Sequence, residues 1–143
     1  MEAEQFVGTY RGRGQEYVAA DGTVTRVGAS PAAARLVDAS DGTVMVISTP
    51  ADRPRLPSHV SGNDWSGATA AEKAAAADGV VAYAGRYEVQ GDRVLHHVDV
   101  SFFPNWVGTT NVRVFQWNGN TLTLSTPPDA AGGFRRILWE KVT

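Results

Sequence analysis

The sequence predicts an all-β fold, namely an antiparallel up-and-down β-barrel of about eight or nine strands with one short mid-chain helix. Three observations predict it: short runs rich in β-branched and aromatic residues recur, Gly-containing turn dipeptides separate them, and one stretch alone has a helical pattern. A meander of such strands avoids open edges by closing on itself. We expect one domain over residues 1–143, because single domains usually have about 100–150 residues.

The strands are period-two runs bounded by turn dipeptides. Asp21-Gly22, Asp41-Gly42, Gly91-Asp92 and Asn118-Gly119 mark the turns, and Asn-Gly is the strongest hairpin signal among them. The run at 33–38 is weaker, because alanine is a poor strand former. The predicted strands cover residues 6–11, 23–27, 33–38, 43–49, 80–90, 93–103, 110–117, 121–126 and 134–142.

The helix and two loops interrupt the meander. Residues 69–78 are predicted to be helical, because Thr69 and Glu72 form a capping-box pattern, alanine fills the interior and Gly79 stops the helix. Residues 50–68 contain three prolines and two glycines without any period, and long loops of this kind tend to be lids or binding segments. A second, shorter loop covers residues 104–108.

Composition excludes several kinds of chemistry. The chain has no cysteine, so disulfides, thiolate nucleophiles and Cys-ligated metal sites are excluded, and its three histidines lack metal-ligand spacing. We therefore expect neither metal nor cofactor. A net charge of −2 argues against a nucleic-acid partner, and no apolar stretch is long enough to span a membrane. The absence of a signal peptide and of cysteine indicates a cytoplasmic protein, and a homodimer is left open.

Strand 93–103 carries the first candidate site. His97 and Asp99 are two residues apart and share a face, where an aspartate can orient an imidazole and make it a general base. The alternative is a surface pair of little consequence, with Val94, His96 and Val98 facing the core. On either reading, one of the two adjacent histidines points inward.

Other candidates lie on the neighbouring strands and loops. Tyr83 and Tyr87 share a face and could line a cavity, although Tyr87 also fits ordinary packing at the rim. Arg113 lies among aromatic residues and either faces the interior or solvent. The remaining candidates are apolar walls or loop residues that close over a ligand, and the loop residues could equally be ordinary: Phe103, Trp106, Trp117, Trp65 and His59.

Several segments are similar to those of a known family. The start Phe6-Val7-Gly8-Thr9-Tyr10 resembles the F-x-G-T-W opening of lipocalin-like domains, with tyrosine in place of the usual tryptophan. The order of the other segments resembles the bacterial and fungal lipocalin-like domain family over nearly the whole chain. These segments are GTVM at 42–45, YAGRY at 83–87, HHV at 96–98, SFFPNWVGT at 101–109, Arg113, LTLS at 122–125 and Trp139-Glu140.

The resemblance implies an antiparallel barrel with an internal cavity for a small apolar or amphipathic molecule. Some related lipocalin-like and small β-barrel proteins in natural-product pathways act as cyclases or isomerases. The resemblance therefore favours a cofactor-free isomerase or cyclase that acts on a polyketide- or terpenoid-like metabolite. His97, assisted by Asp99, would be the base, and Tyr83, Tyr87 or Arg113 would polarise a carbonyl or enolate. The alternative is a small-molecule-binding protein without catalysis, and a third reading is a filled barrel with a protein partner.

Overall fold

The computed structural model describes residues 2–28 and 33–143, and in them the chain forms nine strands and two short α-helices. The helices are α1 (Glu2–Phe6) and α2 (Ala70–Ala77), and a single 3-10 turn covers Pro104–Trp106. The strands are β1 (Gly8–Val18), β2 (Val24–Val27), β3 (Ala33–Asp38), β4 (Thr43–Thr49), β5 (Val81–Gln90), β6 (Arg93–Ser101), β7 (Thr110–Asn118), β8 (Thr121–Ser125) and β9 (Phe134–Lys141).

The sheet closes into a barrel. Strands β3 to β9 pair antiparallel in sequence order, and β1 pairs with both β3 and β9. These eight strands form the barrel, while β2 is an extra strand that pairs only with the C-terminal part of β1, from Gln15 to Val18. The predicted fold class is confirmed. The structure differs in having a second helix, α1, which includes Phe6 of the predicted strand 6–11, and in extending β1 beyond residue 11 to Val18.

Helix α1 covers the end of the barrel where β1 begins. Phe6 is buried there and packs edge-on against the rings of Phe115 and Trp117, at centroid distances of 5.0 and 5.5 Å. The Tyr10 hydroxyl donates a hydrogen bond to the Phe6 carbonyl. These contacts bury a large aromatic cluster, and they explain why a five-residue helix that would be unstable alone is retained here. We call this the closed end.

Helix α2 and the long loops lie at the opposite end, which we call the open end. The predicted capping box is present: Thr69 Oγ1 accepts from the Glu72 amide at 3.1 Å, and Glu72 accepts from the Thr69 amide at 2.8 Å. The guanidinium of Arg53 donates to the Ala76 carbonyl at 2.7 Å, which ties the 50–68 loop to the last turn of α2. This segment joins the ends of β4 and β5 at the open end.

A β-bulge in β6 changes which side chains face the interior. Ala84 pairs with Val100 and Gly85 with Val98, so Asp99 is an extra residue without a partner on β5. Because one extra residue reverses the alternation of faces, inward and outward positions exchange beyond Val98. The regular alternation that we expected over 93–103 therefore ends at the bulge, and Val100 is 63% exposed.

Candidate functional site

A cavity of about 580 Å³ occupies the barrel and is lined by inward-facing strand residues and by residues of the open end. Its volume is within the range of small-molecule sites, roughly 300–1,000 Å³. The apolar lining comes from Val27, Ala34, Leu36, Val46, Pro50, Val80, Val81, Trp106, Leu124, Ile137 and Trp139. The polar lining comes from Gln15, Arg26, Ser48, Tyr83, His96, Arg113, Thr126 and Arg135.

Tyr83 and His96 form a hydrogen-bonded pair in the wall of this cavity. They lie on the adjacent strands β5 and β6, and the Tyr83 hydroxyl is 2.7 Å from His96 Nδ1. Burial, with the nearby charge of Arg113 as the second cause, lowers the pKa of His96 to about 3, and burial raises the pKa of Tyr83 to about 12. Both groups are therefore uncharged at neutral pH, and a neutral imidazole has one donor and one acceptor nitrogen.

Arg113 and Asn111 extend the pair along β7. Arg113 lines the cavity and donates to the Val112 carbonyl at 2.8 Å, and burial lowers the pKa of its guanidinium. Asn111 lies opposite His96 in the strand register, and its buried Nδ2 has no hydrogen-bond partner among the described residues. Asn111 is not among the residues that line the cavity, so Arg113 is the group on β7 that can offer hydrogen bonds to a ligand.

Three of the predicted site residues line the cavity: Tyr83, Arg113 and Trp106. The ring of Trp106 packs edge-on against Tyr83 at a centroid distance of 5.6 Å and against Phe103 at the same distance. Phe103 is about half exposed and supports Trp106 from outside rather than lining the cavity. The 3-10 turn thus carries one aromatic side chain to the open end.

The expected pair of His97 and Asp99 does not form on the cavity face. His97 faces outward, with its Nε2 2.6 Å from Glu88 Oε1 and its Nδ1 2.9 Å from Thr110 Oγ1. Asp99 is the exposed bulge residue. The histidine that reaches the cavity is His96, which is 2% exposed. Strand parity indicated that one histidine points inward, but the spacing of His97 and Asp99 favoured the outward one.

The other candidates lie outside the cavity lining. Tyr87 is buried near the closed end, where its hydroxyl donates to the Ala39 carbonyl at 3.0 Å. Trp117 packs against Phe6 in the aromatic cluster of the closed end. His59 and Trp65 are exposed in the 50–68 loop, and His59 Nε2 is 3.2 Å from the Gly67 carbonyl oxygen. These contacts organise the core and the loop.

Across residues 2–28 and 33–143, no group of three or more His, Asp or Glu side chains could hold a metal ion. Neither α1 nor α2, the helices described, has the length and apolar character needed to cross a membrane.

Known proteins similar to this chain were found by sequence and by structure. A family model described as a lipocalin-like domain matches residues 7–142. The 4'-hydroxy-3'-methoxypropiophenone carrier protein ppsC of Aspergillus oryzae is 39% identical over 82 residues, which are 52% of this chain and 73% of that protein. A lipocalin-like protein from Bacteroides uniformis superposes with a TM-score of 0.48 at 14% identity, covering 96% of this chain and 98% of the other. An uncharacterized protein from Bacteroides eggerthii gives 0.47 at 12% identity, covering 96% and 99%.

Proposed function

Because the chain belongs to the lipocalin-like domain family, we propose that its barrel binds a hydrophobic, aromatic small molecule of the secondary-metabolite class in the central cavity. The observation that carries the proposal is the cavity of about 580 Å³, whose walls combine eleven apolar side chains with eight polar ones. This is the usual composition of a small-molecule site, in which apolar walls supply affinity and a few polar groups fix orientation.

The chemistry of the walls favours a flat ligand with polar oxygens. Trp106, Trp139 and Tyr83 present ring surfaces, which prefer edge-on or offset contacts with another ring. When Tyr83 donates to His96 Nδ1, the proton of the neutral imidazole is on Nε2, which can donate to a ligand oxygen. The Aspergillus relative is named as a carrier of an aryl ketone that also has phenol and ether oxygens, which supports the same ligand class.

A substitution that fills the cavity tests this proposal. Val46 lines the cavity and is 8% exposed, whereas the next residue, Ile47, points outward and is 52% exposed. We expect wild type to enhance the fluorescence of N-phenyl-1-naphthylamine and 4'-hydroxy-3'-methoxypropiophenone to displace this probe. Val46→Trp should weaken binding of both compounds at least tenfold, and Ile47→Trp should leave it unchanged. Equal binding by both variants, or none by wild type, would contradict the proposal.

A second candidate function is a cofactor-free isomerase or cyclase. The observation that favours it is the juxtaposition of Tyr83, His96 and Arg113 on one wall, where a hydroxyl, an imidazole and a guanidinium could act on one carbonyl. In this role His96 replaces His97 and Asp99, which lie outside the barrel. An imidazole with a pKa of about 3 is a weak base at neutral pH, since general bases work best near the operating pH. Binding is therefore the first candidate.

Recovery of the ligand separates the two functions. After incubation with 4'-hydroxy-3'-methoxypropiophenone, mass spectrometry and chromatography should return the compound unchanged if the protein only binds it. A product formed by wild type and by His97→Ala, but not by His96→Ala or Tyr83→Phe, would instead establish catalysis by the cavity pair. His97→Ala is the matched control because it removes the neighbouring imidazole on the outer face.

We also propose that the protein forms a homodimer and resides in the cytoplasm, the latter on the absence of cysteine. The dimer would use an outer apolar face on the adjacent strands β4 to β6 and the segment that follows β6, made of Met45, Ile47, Ala82, Ala84, Val100 and Phe102. Arg35 adjoins it on β3 and Asp99 on β6, so the two edges of this face carry opposite charges.

Charge introduced into this outer apolar face tests the homodimer. We expect wild type to sediment as a dimer at micromolar concentration and Val100→Lys to sediment as a monomer, because a buried unpaired lysine opposes association. Val24→Lys, on the exposed extra strand β2, should remain dimeric. A monomeric wild type at tens of micromolar would contradict the proposal.

A further inference from the structure

We infer that the ligand of this cavity carries an anionic oxygen, from a carboxylate or an ionised phenol or enol, and that Arg113 binds it. The inference rests on the proposed binding function and names the chemical class of its ligand. The observation behind it is an imbalance of charge. Three arginines line the cavity, namely Arg26, Arg113 and Arg135, while no aspartate or glutamate is among the described lining residues.

Among the three arginines, Arg113 is the one whose buried position favours a charged partner. Its guanidinium has one hydrogen bond, to the neighbouring Val112 carbonyl, which leaves most of its five N–H donors free for a ligand. The ion pairs found among the described residues are Arg13–Glu140, Arg93–Asp92, His97–Glu88 and Arg136–Glu16, and none involves Arg113. A desolvated guanidinium is unfavourable unless a charged acceptor pairs with it.

The groups around Arg113 fit an oxygen anion rather than a cation. The Tyr83–His96 pair is uncharged and can present one N–H or O–H donor to the cavity, because the other proton is used in the hydrogen bond between the two side chains. A planar carboxylate accepts two parallel N–H bonds from a guanidinium, and such charge-assisted bonds are about twice as strong as neutral ones. Burial, which disfavours the charged guanidinium of Arg113, makes a paired anion more valuable here than in water.

Arg26 and Arg135 line the cavity at its open end. Arg26 belongs to β2 and Arg135 to the start of β9, and both are exposed side chains that also line the cavity. Their charge raises the local concentration of anions and speeds their entry, but solvent screens it. We therefore assign discrimination between an anionic and a neutral ligand to Arg113, and attraction of the ligand to the two outer arginines.

Two probes of nearly equal shape test the inference. 2-Naphthoate carries a carboxylate, and 2-acetonaphthone is its neutral methyl ketone. By calorimetry, we expect wild type to bind 2-naphthoate at least tenfold more tightly, because charge-assisted hydrogen bonds to a guanidinium are stronger than those to a neutral carbonyl. Arg113→Met should reduce this preference to about one. Arg86→Met, which removes an exposed arginine on β5, should preserve it.

A third probe distinguishes the two sources of anionic oxygen. 4-Nitrophenol changes its visible absorbance when it ionises, so at a pH just below its own pKa a bound phenolate should add absorbance with wild type but not with Arg113→Met. Absorbance gain together with a preference for 2-naphthoate means that any anionic oxygen is accepted. A preference for 2-naphthoate without the absorbance gain restricts the inference to carboxylates.

The outcomes separate failure of the inference from failure of the proposed function. If the naphthalene probes bind wild type equally, or if Arg113→Met keeps the preference, the inference is overturned and the binding function stands. If neither probe binds, the proposed function falls with it. Thermal unfolding of Arg113→Met and of the charge-retaining Arg113→Lys shows whether each variant is folded. Arg113→Lys should fold and keep part of the preference, because lysine retains the charge but loses the planar fork.

Discussion

Gly85→Ala is expected to lower the free energy of unfolding by at least about 3 kcal/mol, the upper range for inserting a methyl group into a tightly packed site. A Cβ atom at Gly85 would overlap the His97 carbonyl oxygen and lie 2.8 Å from the His97 carbonyl carbon and 3.1 Å from Val98 Cα. These are backbone atoms of the paired strand β6, so no side chain can rotate away to make room. The strands must separate at the β-bulge, where Gly85 pairs with Val98.

Denaturant unfolding followed by fluorescence measures this effect. Gly62→Ala is the control, because Gly62 lies in the 50–68 loop with no atom within 4 Å of an added Cβ, and we expect a change below about 0.5 kcal/mol. Because the bulge decides which residues of β6 face inward, Gly85→Ala should also weaken ligand binding. A variant with unchanged stability would show that the close approach of β5 and β6 is not required.

Asp38→Asn is expected to stabilise the protein at pH 8 by as much as about 4 kcal/mol and to have little effect near pH 4. Asp38 is 2% exposed near the closed end, and its Oδ1 has no hydrogen-bond partner among the described residues. Burial raises the pKa of this carboxyl from 3.8 to about 7, although Lys141 opposes the shift. One pKa unit corresponds to about 1.4 kcal/mol, which gives the expected size.

The sign of the pH dependence follows from proton binding. Between pH 3.8 and about pH 7 the folded state holds the Asp38 proton more tightly than the unfolded state does, so the free energy of unfolding falls as pH rises through this window. Asp38→Asn should remove this part of the slope. Asp52→Asn, at an exposed loop position, is the control and should retain it. A wild-type stability that rises with pH across the same window, with no change in Asp38→Asn, would contradict the assignment.

Most of the barrel could be predicted because period-two patterns and Asx-Gly turns are local properties of the chain. The strands β3 to β9 agree with their predicted ranges to within two residues at each end. The C-terminal part of β1 was not predicted, because Gly12 and Gly14 interrupt the strand alternation at a second bulge. Helix α1 was missed because its stability comes from Phe6 packing on Phe115 and Trp117, residues more than a hundred positions away.

The candidate site could be predicted only in part. Tyr83 and Arg113 were found because their residue types and strand positions indicated a polar, aromatic interior, and Trp106 because an aromatic loop residue can form an apolar wall. Strand alternation divides the residues of β6 between two faces but does not show which face is inside, so it led to His97 where the cavity residue is His96. That choice depends on how the sheet closes and on the extra residue at Asp99, neither of which the spacing of residues reveals.

The pairing of β1 with β9 has a consequence for how the barrel forms. Tyr10 lies opposite Lys141 and Val18 opposite Phe134, so the seam that closes the sheet joins segments more than a hundred residues apart. Closing so large a loop has a high entropic cost before any contact is gained, and folds dominated by such contacts fold slowly. During synthesis, β1 to β8 can pair with their sequence neighbours as they emerge, whereas the seam between β1 and β9 must wait for the last strand. Until then the chain is an open sheet with its apolar inner face uncovered, and this is the stage at which it is most exposed to aggregation.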